Sequence, residues 1–153
     1  MLNVLLVEDN PADVYLFEEH LEDSVSEKYI VTSTDSLEKA WYLRQVIETD
    51  IVVIDLSLPK SSGDETLFFA SRYFGDKPVI VLTGSDDLTL AKKSIAVGVQ
   101  SFLVKKELNG HLLSRSIQCA IERHQLAREA EAQQRSLAQC NEQLKWVMSH
   151  RYG

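Results

Sequence analysis

Cysteine, proline and glycine are scarce in this chain, whose 153 residues include two cysteines, three prolines and six glycines. Two cysteines are too few for a small disulfide-stapled scaffold. The low glycine and proline content excludes a collagen-like or low-complexity chain. Cys119 and Cys140 are expected to be reduced thiols in a cytoplasmic protein, and a disulfide between them is the alternative.

Basic residues are also in deficit, with 16 Lys and Arg against 23 Asp and Glu and a formal net charge of −7. This balance argues against a general nucleic-acid binder, and we expect no direct DNA binding. The acidic excess lies within residues 1–108, whereas residues 109–153 are slightly basic. An acidic region of this kind serves solubility, or it collects carboxylates for a cation.

Long apolar runs are absent, so we expect no membrane span, and the first residues lack the pattern of a signal peptide. Hydrophobic residues make up 44% and charged residues 25% of the chain, which is typical of a globular protein. The length suits one well-cored domain with an appendage. We assign residues 1–124 to the domain and residues 125–153 to a helical, coiled-coil extension.

Short apolar segments of strand length alternate with segments of helical periodicity. Pro11 suits the first position of the first helix, Ser36 suits an N-cap, and Gly98 suits a helix end. Alternation of this kind predicts an α/β fold, a flavodoxin-like doubly wound sheet of five parallel strands in the order 2-1-3-4-5. The predicted strands are residues 2–7, 29–32, 51–54, 79–82 and 101–104.

Apolar residues at helical spacing mark each predicted helix, and those of the fifth helix are expected to face the sheet. In chain order the residues are Val14, Phe17 and Leu21; Leu37, Ala40, Leu43 and Ile47; Leu67, Ala70 and Phe74; Leu88, Ala91 and Ile95; and Leu113, Ile117, Ala120 and Ile121.

The fifth helix is predicted to continue past the domain, because no proline follows residue 109 and the only later glycines are Gly110 and Gly153. Apolar and small residues there recur in steps of four and three, which indicates a coiled-coil seam and a parallel homodimer. The two cysteines are three heptads apart and could both occupy this seam, as small buried thiols or facing their twins. The seam residues are Leu126, Ala130, Gln133, Leu137, Cys140, Leu144 and Val147.

Polar residues with complementary chemistry follow four of the predicted strands. Glu8 and Asp9 follow strand one, and Asp55 ends strand three. Ligands bind beyond the carboxyl ends of parallel strands, so three carboxylates are expected to converge there and to favour Mg²⁺. Thr83 ends strand four with a hydroxyl, and Lys105 follows strand five with a mobile positive charge. Together these groups suit an aspartyl-phosphate site with Asp55 as nucleophile.

Four sequence segments resemble a known family. The segments Val4-Leu5-Leu6-Val7-Glu8-Asp9-Asn10-Pro11, Ile54-Asp55-Leu56-Ser57-Leu58-Pro59 with Gly63, Val81-Leu82-Thr83-Gly84 and Phe102-Leu103-Val104-Lys105 are similar to those of response-regulator receiver domains. The resemblance covers about residues 1–124. It implies a two-component phosphorelay, with a sensor histidine kinase or a phosphotransfer protein as partner.

The resemblance also implies a role for each matching residue. Glu8, Asp9, Asp55 and the backbone carbonyl of Ser57 would hold Mg²⁺, and Asp55 would accept the phosphoryl group. Lys105 would form an ion pair with that group. The switch residues would be Thr83, whose hydroxyl moves toward the phosphoryl group, and Phe102, whose rotamer reports the movement.

Two positions depart from the family pattern. Lys106 stands where the family usually has proline after a cis bond, so the Lys105–Lys106 bond is either a strained cis bond or a trans bond. Phe102 stands where tyrosine is common, and it lacks the hydroxyl. The segment around Ile117 resembles the joint between a receiver and a coiled-coil linker. His150 follows a serine, as the phosphorylated histidine of sensor kinases does, although a solvated histidine is the ordinary interpretation.

Three functions fit these observations. The first is an active receiver that is phosphorylated on Asp55. The second is a pseudo-receiver that binds partners without phosphorylation, which only the departure after Lys105 favours. The third is a nucleotide or flavin binder on the same architecture, but this sequence lacks the glycine-rich phosphate loop that such a protein would need.

Overall fold

The computed structural model describes residues 1–24, 27–58, 62–84 and 88–152, with side chains described as far as residue 150. Pro59, which belongs to the predicted phosphorylation loop, lies outside the described residues. The chain divides into two compact units, Met1–Ile121 and Glu122–Gly153. None of the helices in the described ranges is long and apolar enough to cross a membrane.

Strands and helices alternate along the chain as predicted. The strands are β1 (Leu2–Val7), β2 (Tyr29–Thr34), β3 (Ile51–Asp55), β4 (Val79–Thr83) and β5 (Ser101–Val104). The helices are α1 (Pro11–Glu22), α2 (Leu37–Val46), α3 (Gly63–Tyr73), α4 (Leu88–Ala96) and α5 (Gly110–Tyr152), and a 3₁₀ turn (Lys105–Glu107) links β5 to α5.

The five strands form one parallel sheet in the order β2-β1-β3-β4-β5, which confirms the predicted flavodoxin-like fold. All residues of β3 and β4 are buried, and β2 at one edge is half-exposed. The register pairs Val7 with Ile54, Asp55 with Leu82 and Thr83 with Val104. The carboxyl ends of β1, β3, β4 and β5 therefore meet at one edge of the sheet.

Two hydrophobic clusters cover the two faces of the sheet. On one face, Val7 and Ile54 pack with Ala40 of α2 and Leu67 of α3. On the other face, Leu6 and Val53 belong to a cluster whose helical members are Phe17, Leu21, Leu113, Ile117 and Ala120, from α1 and the first part of α5. Successive strand residues alternate between the two faces, which is why the central strands are continuous apolar runs.

Local signals in the sequence set several helix ends. The Asn10 side chain accepts a hydrogen bond from the Ala12 N–H at 2.9 Å, and Pro11 begins α1. The Ser36 hydroxyl accepts one from the Lys39 N–H at the start of α2. Gly98 follows α4 with φ +95°, a left-handed conformation that glycine adopts without strain.

Helix α4 lies where Leu88, Ala91 and Ile95 predicted a helix, but Leu88 and Ile95 are not its buried residues. Leu88 is 68% and Ile95 56% exposed, whereas Leu90 packs against the first cluster and Ser94 is fully buried. The Ser94 hydroxyl donates to the Leu90 carbonyl at 2.8 Å. A hydroxyl that is hydrogen-bonded within its own helix can be buried at little cost, so a small polar residue can lie on the buried side of α4.

In the second unit, α5 has a largely exposed surface. The four apolar residues of the predicted seam, Leu126, Leu137, Leu144 and Val147, are each 48–65% exposed in the single chain. The rings of Trp146 and His150 stack at 4.0 Å, and His150 Nδ1 lies 2.8 Å from the Trp146 carbonyl. The parallel homodimer stays a prediction.

Candidate functional site

Asp55 lies at the last position of β3 with 1% of its surface exposed. Its Oδ1 atom accepts a hydrogen bond from the Ser57 N–H at 3.0 Å. Its Oδ2 atom accepts one from Lys105 Nζ, also at 3.0 Å. The carboxylate is therefore oriented by one main-chain donor and one ammonium. For Ser57, this main-chain contact is made through the N–H, and the metal-binding role predicted for its carbonyl stays a prediction.

Glu8 and Asp9 follow β1 and bring two further carboxylates to Asp55. Each of the three residues offers one oxygen, and these oxygens all lie within 4.8 Å of one another. Glu8 and Asp55 are buried, whereas Asp9 is exposed. Several anionic oxygens at this spacing repel one another, and a hard divalent cation relieves the repulsion. The set fits Mg²⁺, which takes few carboxylates and keeps the rest of its shell for water and phosphate oxygens.

Lys105 begins the turn after β5 and makes three ion pairs. Its Nζ atom lies 2.7 Å from Glu8 Oε2, 2.9 Å from Asp13 Oδ2 and 3.0 Å from Asp55 Oδ2. The Leu108 N–H donates to the Lys105 carbonyl at 3.2 Å and closes the turn. Among the described residues no peptide bond is cis, so the Lys105–Lys106 bond is trans. The trans chain nevertheless presents the ammonium to Asp55.

The crowding of charges raises the pKa of both Glu8 and Lys105, which favours the neutral form of the carboxyl group and the charged form of the ammonium. Burial and the neighbouring Asp55 carboxylate raise the pKa of Glu8 to about 7, although the hydrogen bond from Lys105 opposes this shift. Burial would lower the pKa of Lys105, but its hydrogen bonds to Glu8, Asp13 and Asp55 outweigh burial and raise it above the ordinary lysine value. Lys105 therefore stays charged, whereas Glu8 gains a proton near neutrality.

The predicted switch residues lie on the two strands beyond Asp55. Thr83 ends β4 and is 5% exposed. In the register it pairs with Val104, the residue that precedes Lys105. Phe102 is half-buried and packs against the cluster that includes residues of α2 and α3. Ion pairs of Lys105 thus join Glu8, Asp13 and Asp55, and the register places Thr83 at the same edge of the sheet.

Asp13 was missed by the sequence analysis. It lies in the first turn of α1, one-third exposed, and accepts a hydrogen bond from Lys105 at 2.9 Å. The only sequence signal was an acidic residue near a helix N-terminus, which the helix dipole explains without any site. No local pattern indicates that the first turn of α1 reaches the end of β5.

A parallel sheet in this order with carboxylates and a lysine at its carboxyl edge defines the class of receiver domains. The family model of the response regulator receiver domain matches residues 4–117. The chain therefore belongs to the response-regulator receiver family. Members are phosphoacceptor domains of two-component signalling that bind Mg²⁺ at an acidic pocket and interact with histidine kinases or phosphotransfer proteins.

Individual relatives agree with this assignment. The cell cycle transcriptional regulator CtrA of Caulobacter vibrioides is 28% identical over 114 residues, which are 74% of this chain and 48% of that protein. This chain thus spans about half the length of the curated relatives that it matches first. The crystal structure of the signal receiver domain of a putative LuxO repressor protein from Vibrio parahaemolyticus is 26% identical, with a TM-score of 0.70, covering 84% of this chain and 96% of that one. The solution structure of the beryllofluoride-activated NtrC4 receiver domain dimer is also 26% identical, with a TM-score of 0.69, covering 81% and 99% of the two chains.

Proposed function

We propose that this chain is an active response regulator and that Asp55 accepts a phosphoryl group from a phosphorylated histidine of a sensor kinase or a phosphotransfer protein. The observation that carries the proposal is the environment of Asp55. A buried carboxylate is held by the Ser57 N–H and by Lys105, next to two further carboxylates that fit a divalent cation. This arrangement favours the active receiver over a pseudo-receiver, which needs none of these groups.

The reaction needs one bond to form and one to break. A carboxylate oxygen of Asp55 attacks the phosphorus atom, and a new P–O bond gives an acyl phosphate. The P–N bond of the phosphohistidine breaks, and its electron pair leaves with the imidazole nitrogen. Positioning and charge neutralisation account for most catalysis of phosphoryl transfer.

Lys105 would neutralise charge on the transferred phosphoryl group directly, and the acidic residues would do so through the cation that they bind. Lys105 lies 3.0 Å from Asp55 and can follow the transferred group, because its flexible side chain carries a compact charge with three donors. Glu8, Asp9, Asp55 and the Ser57 carbonyl would hold Mg²⁺. When bound, this ion would neutralise charge on the phosphoryl oxygens.

Transmission of the signal is assigned to Thr83 and Phe102. The Thr83 hydroxyl would move toward a phosphoryl oxygen, and the half-buried Phe102 would turn further into the space that this movement opens. Such a change shifts the populations of two pre-existing conformations rather than creating a new one.

We assign the receiver to residues 1–124 and a coiled-coil extension to residues 125–153, through which two copies pair in parallel in the cytoplasm. The exposed apolar residues of α5 support this assignment, since a long polar helix is marginally stable alone. Neither DNA nor a membrane has a part in this assignment.

The test is phosphorylation by acetyl phosphate in the presence of Mg²⁺, measured as intact mass. Wild type should gain one phosphoryl group, and Asp55→Asn should gain none. Asp64→Asn, which changes an exposed aspartate on α3, is the matched control and should behave as wild type. If wild type stays unmodified with both acetyl phosphate and a cognate kinase, the chain is a pseudo-receiver and the proposal is wrong.

A further inference from the structure

The three hydrogens of the Lys105 ammonium are all taken by carboxylates. An ammonium has three donors and no acceptor. Glu8, Asp13 and Asp55 each place one oxygen 2.7–3.0 Å from Nζ. A phosphoryl oxygen on Asp55 can therefore bind Lys105 only when one of these three contacts is released.

Asp13 differs from the other two partners of Lys105. It comes from helix α1 rather than from the end of a strand, and it is not a member of the group of carboxylates that fits a cation. A cation at Glu8, Asp9 and Asp55 would compete with Lys105 for Glu8 and Asp55. It would not compete for Asp13. Asp13 thus becomes the principal remaining carboxylate partner of Lys105 in the state that receives the phosphoryl group.

We propose that Asp13 is a positioning residue that holds Lys105 toward α1 and competes with the phosphoryl group on Asp55 for its ammonium. This inference rests on the proposed function of Asp55. In the unphosphorylated protein, the Asp13 contact keeps Lys105 in place. On phosphorylation, the contact is weakened or exchanged, so Asp13 sets how strongly the phosphorylated state is favoured.

The negative charge of Asp13 and its competition for Lys105 both weaken the binding of a phosphoryl group at Asp55. Replacing Asp13 by asparagine removes one negative charge near a site that gains negative charge, and it leaves Lys105 a weaker, neutral partner. The Asp13 side chain is 34% exposed, so solvent screens part of the effect. We expect about five-fold tighter binding of a phosphoryl analogue, which corresponds to about 1 kcal/mol.

The ordinary explanation of Asp13 is a favourable interaction with the N-terminus of α1. That role predicts a change in stability alone. It gives no reason for tighter binding of an anion at Asp55 or for a change at the Lys105 ammonium. Two readouts therefore separate the two roles.

The first readout is the affinity for beryllofluoride at saturating Mg²⁺, measured by calorimetry on the full chain. Asp13→Asn should bind about five-fold more tightly than wild type, and Asp13→Glu, which keeps the charge, should bind nearly as wild type does. Glu22→Gln removes the same charge from the exposed far end of α1 and should change nothing. Equal or weaker binding by Asp13→Asn would overturn the inference.

The second readout uses metal-free protein and so does not depend on a loaded site. In lysine-selective NMR spectra, the Lys105 ammonium hydrogens should exchange with water several-fold faster in Asp13→Asn than in wild type or Glu22→Gln. Unchanged exchange would show that Asp13 does not hold Lys105. If wild type shows the slow ammonium but binds no beryllofluoride, the proposed function of Asp55 fails and the competition inferred for Asp13 fails with it. If wild type binds and Asp13→Asn does not differ from it, only the inference about Asp13 is wrong.

Discussion

The raised pKa of Glu8 predicts that the metal-free protein loses stability as pH rises toward neutrality. Burial and the Asp55 carboxylate raise this pKa from the ordinary 4.5 to about 7. Between these two values the folded state binds more protons than the unfolded state. The corresponding stability is fully present below pH 4.5 and is lost as pH rises through about 7.

The size of this effect follows from the two pKa values. At about 1.4 kcal/mol per pKa unit, the difference between 4.5 and about 7 corresponds to at most about 3–4 kcal/mol of unfolding free energy. Glu8, Asp55 and Lys105 interact strongly, so the protons are shared by the group and the observed change should be smaller, about 1–3 kcal/mol. Bound Mg²⁺ should reverse the trend, because it favours the ionised form of Glu8.

The assay is urea unfolding in EDTA at about pH 5.5 and about pH 8.5, on wild type and Glu8→Gln. Glutamine cannot ionise, so the variant should lose about 1–2 kcal/mol less stability than wild type over this interval. Glu22→Gln, an exposed change on α1, controls for the other titrating groups and should follow wild type. The explanation is refuted if Glu8→Gln and wild type show the same pH dependence.

Three further substitutions test the packing of the chain. Gly110→Ala should reduce the unfolding free energy by about 1–3 kcal/mol, because a Cβ atom there would lie 2.5 Å from a carbonyl oxygen of α1. Gly84→Ala is the control and should change the urea midpoint little, because a Cβ atom at that position would have nothing within 4 Å. Ile117→Ala should reduce the unfolding free energy by about 2–5 kcal/mol, since the side chain is fully buried, and a loss under about 1 kcal/mol would contradict this packing. Leu137→Asp should abolish the dimer expected in sedimentation, and Gln139→Asp, at an outer position of the heptad, should preserve it; a wild-type monomer at all concentrations would contradict the coiled coil.

Much of the fold was predictable because its signals are local. The continuous apolar run 51–54 marks a strand buried on both faces, and β3 has no exposed residue. Pro11 and Ser36 identified helix starts through main-chain hydrogen-bonding needs that any helix has. Once five parallel strands were predicted, the topology brought Glu8, Asp55 and Lys105 to one edge without further information.

The buried face of α4 was not predictable in this way. The hydrophobic pattern favoured Leu88 and Ile95, whereas burial selected Leu90 and Ser94. A nine-residue helix offers more than one apolar stripe, and its rotation depends on what lies beneath it. The hydrogen bond from the Ser94 hydroxyl to the Leu90 carbonyl lowers the free-energy cost of burying this polar side chain. A bond of this kind is visible only in the three-dimensional structure.

Strand order, helix starts and the acidic edge with its lysine were predictable from the amino-acid sequence, because each depends on short-range chemistry or on topology. The trans Lys105–Lys106 bond and the ion pair between Asp13 on α1 and Lys105 could be seen only in the three-dimensional arrangement. Residues 13 and 105 are joined by the packing of α1 beside the end of β5, a long-range contact. An ion pair of that kind depends on distances of a few ångströms between separate elements. The periodicity of a sequence contains no information about such distances.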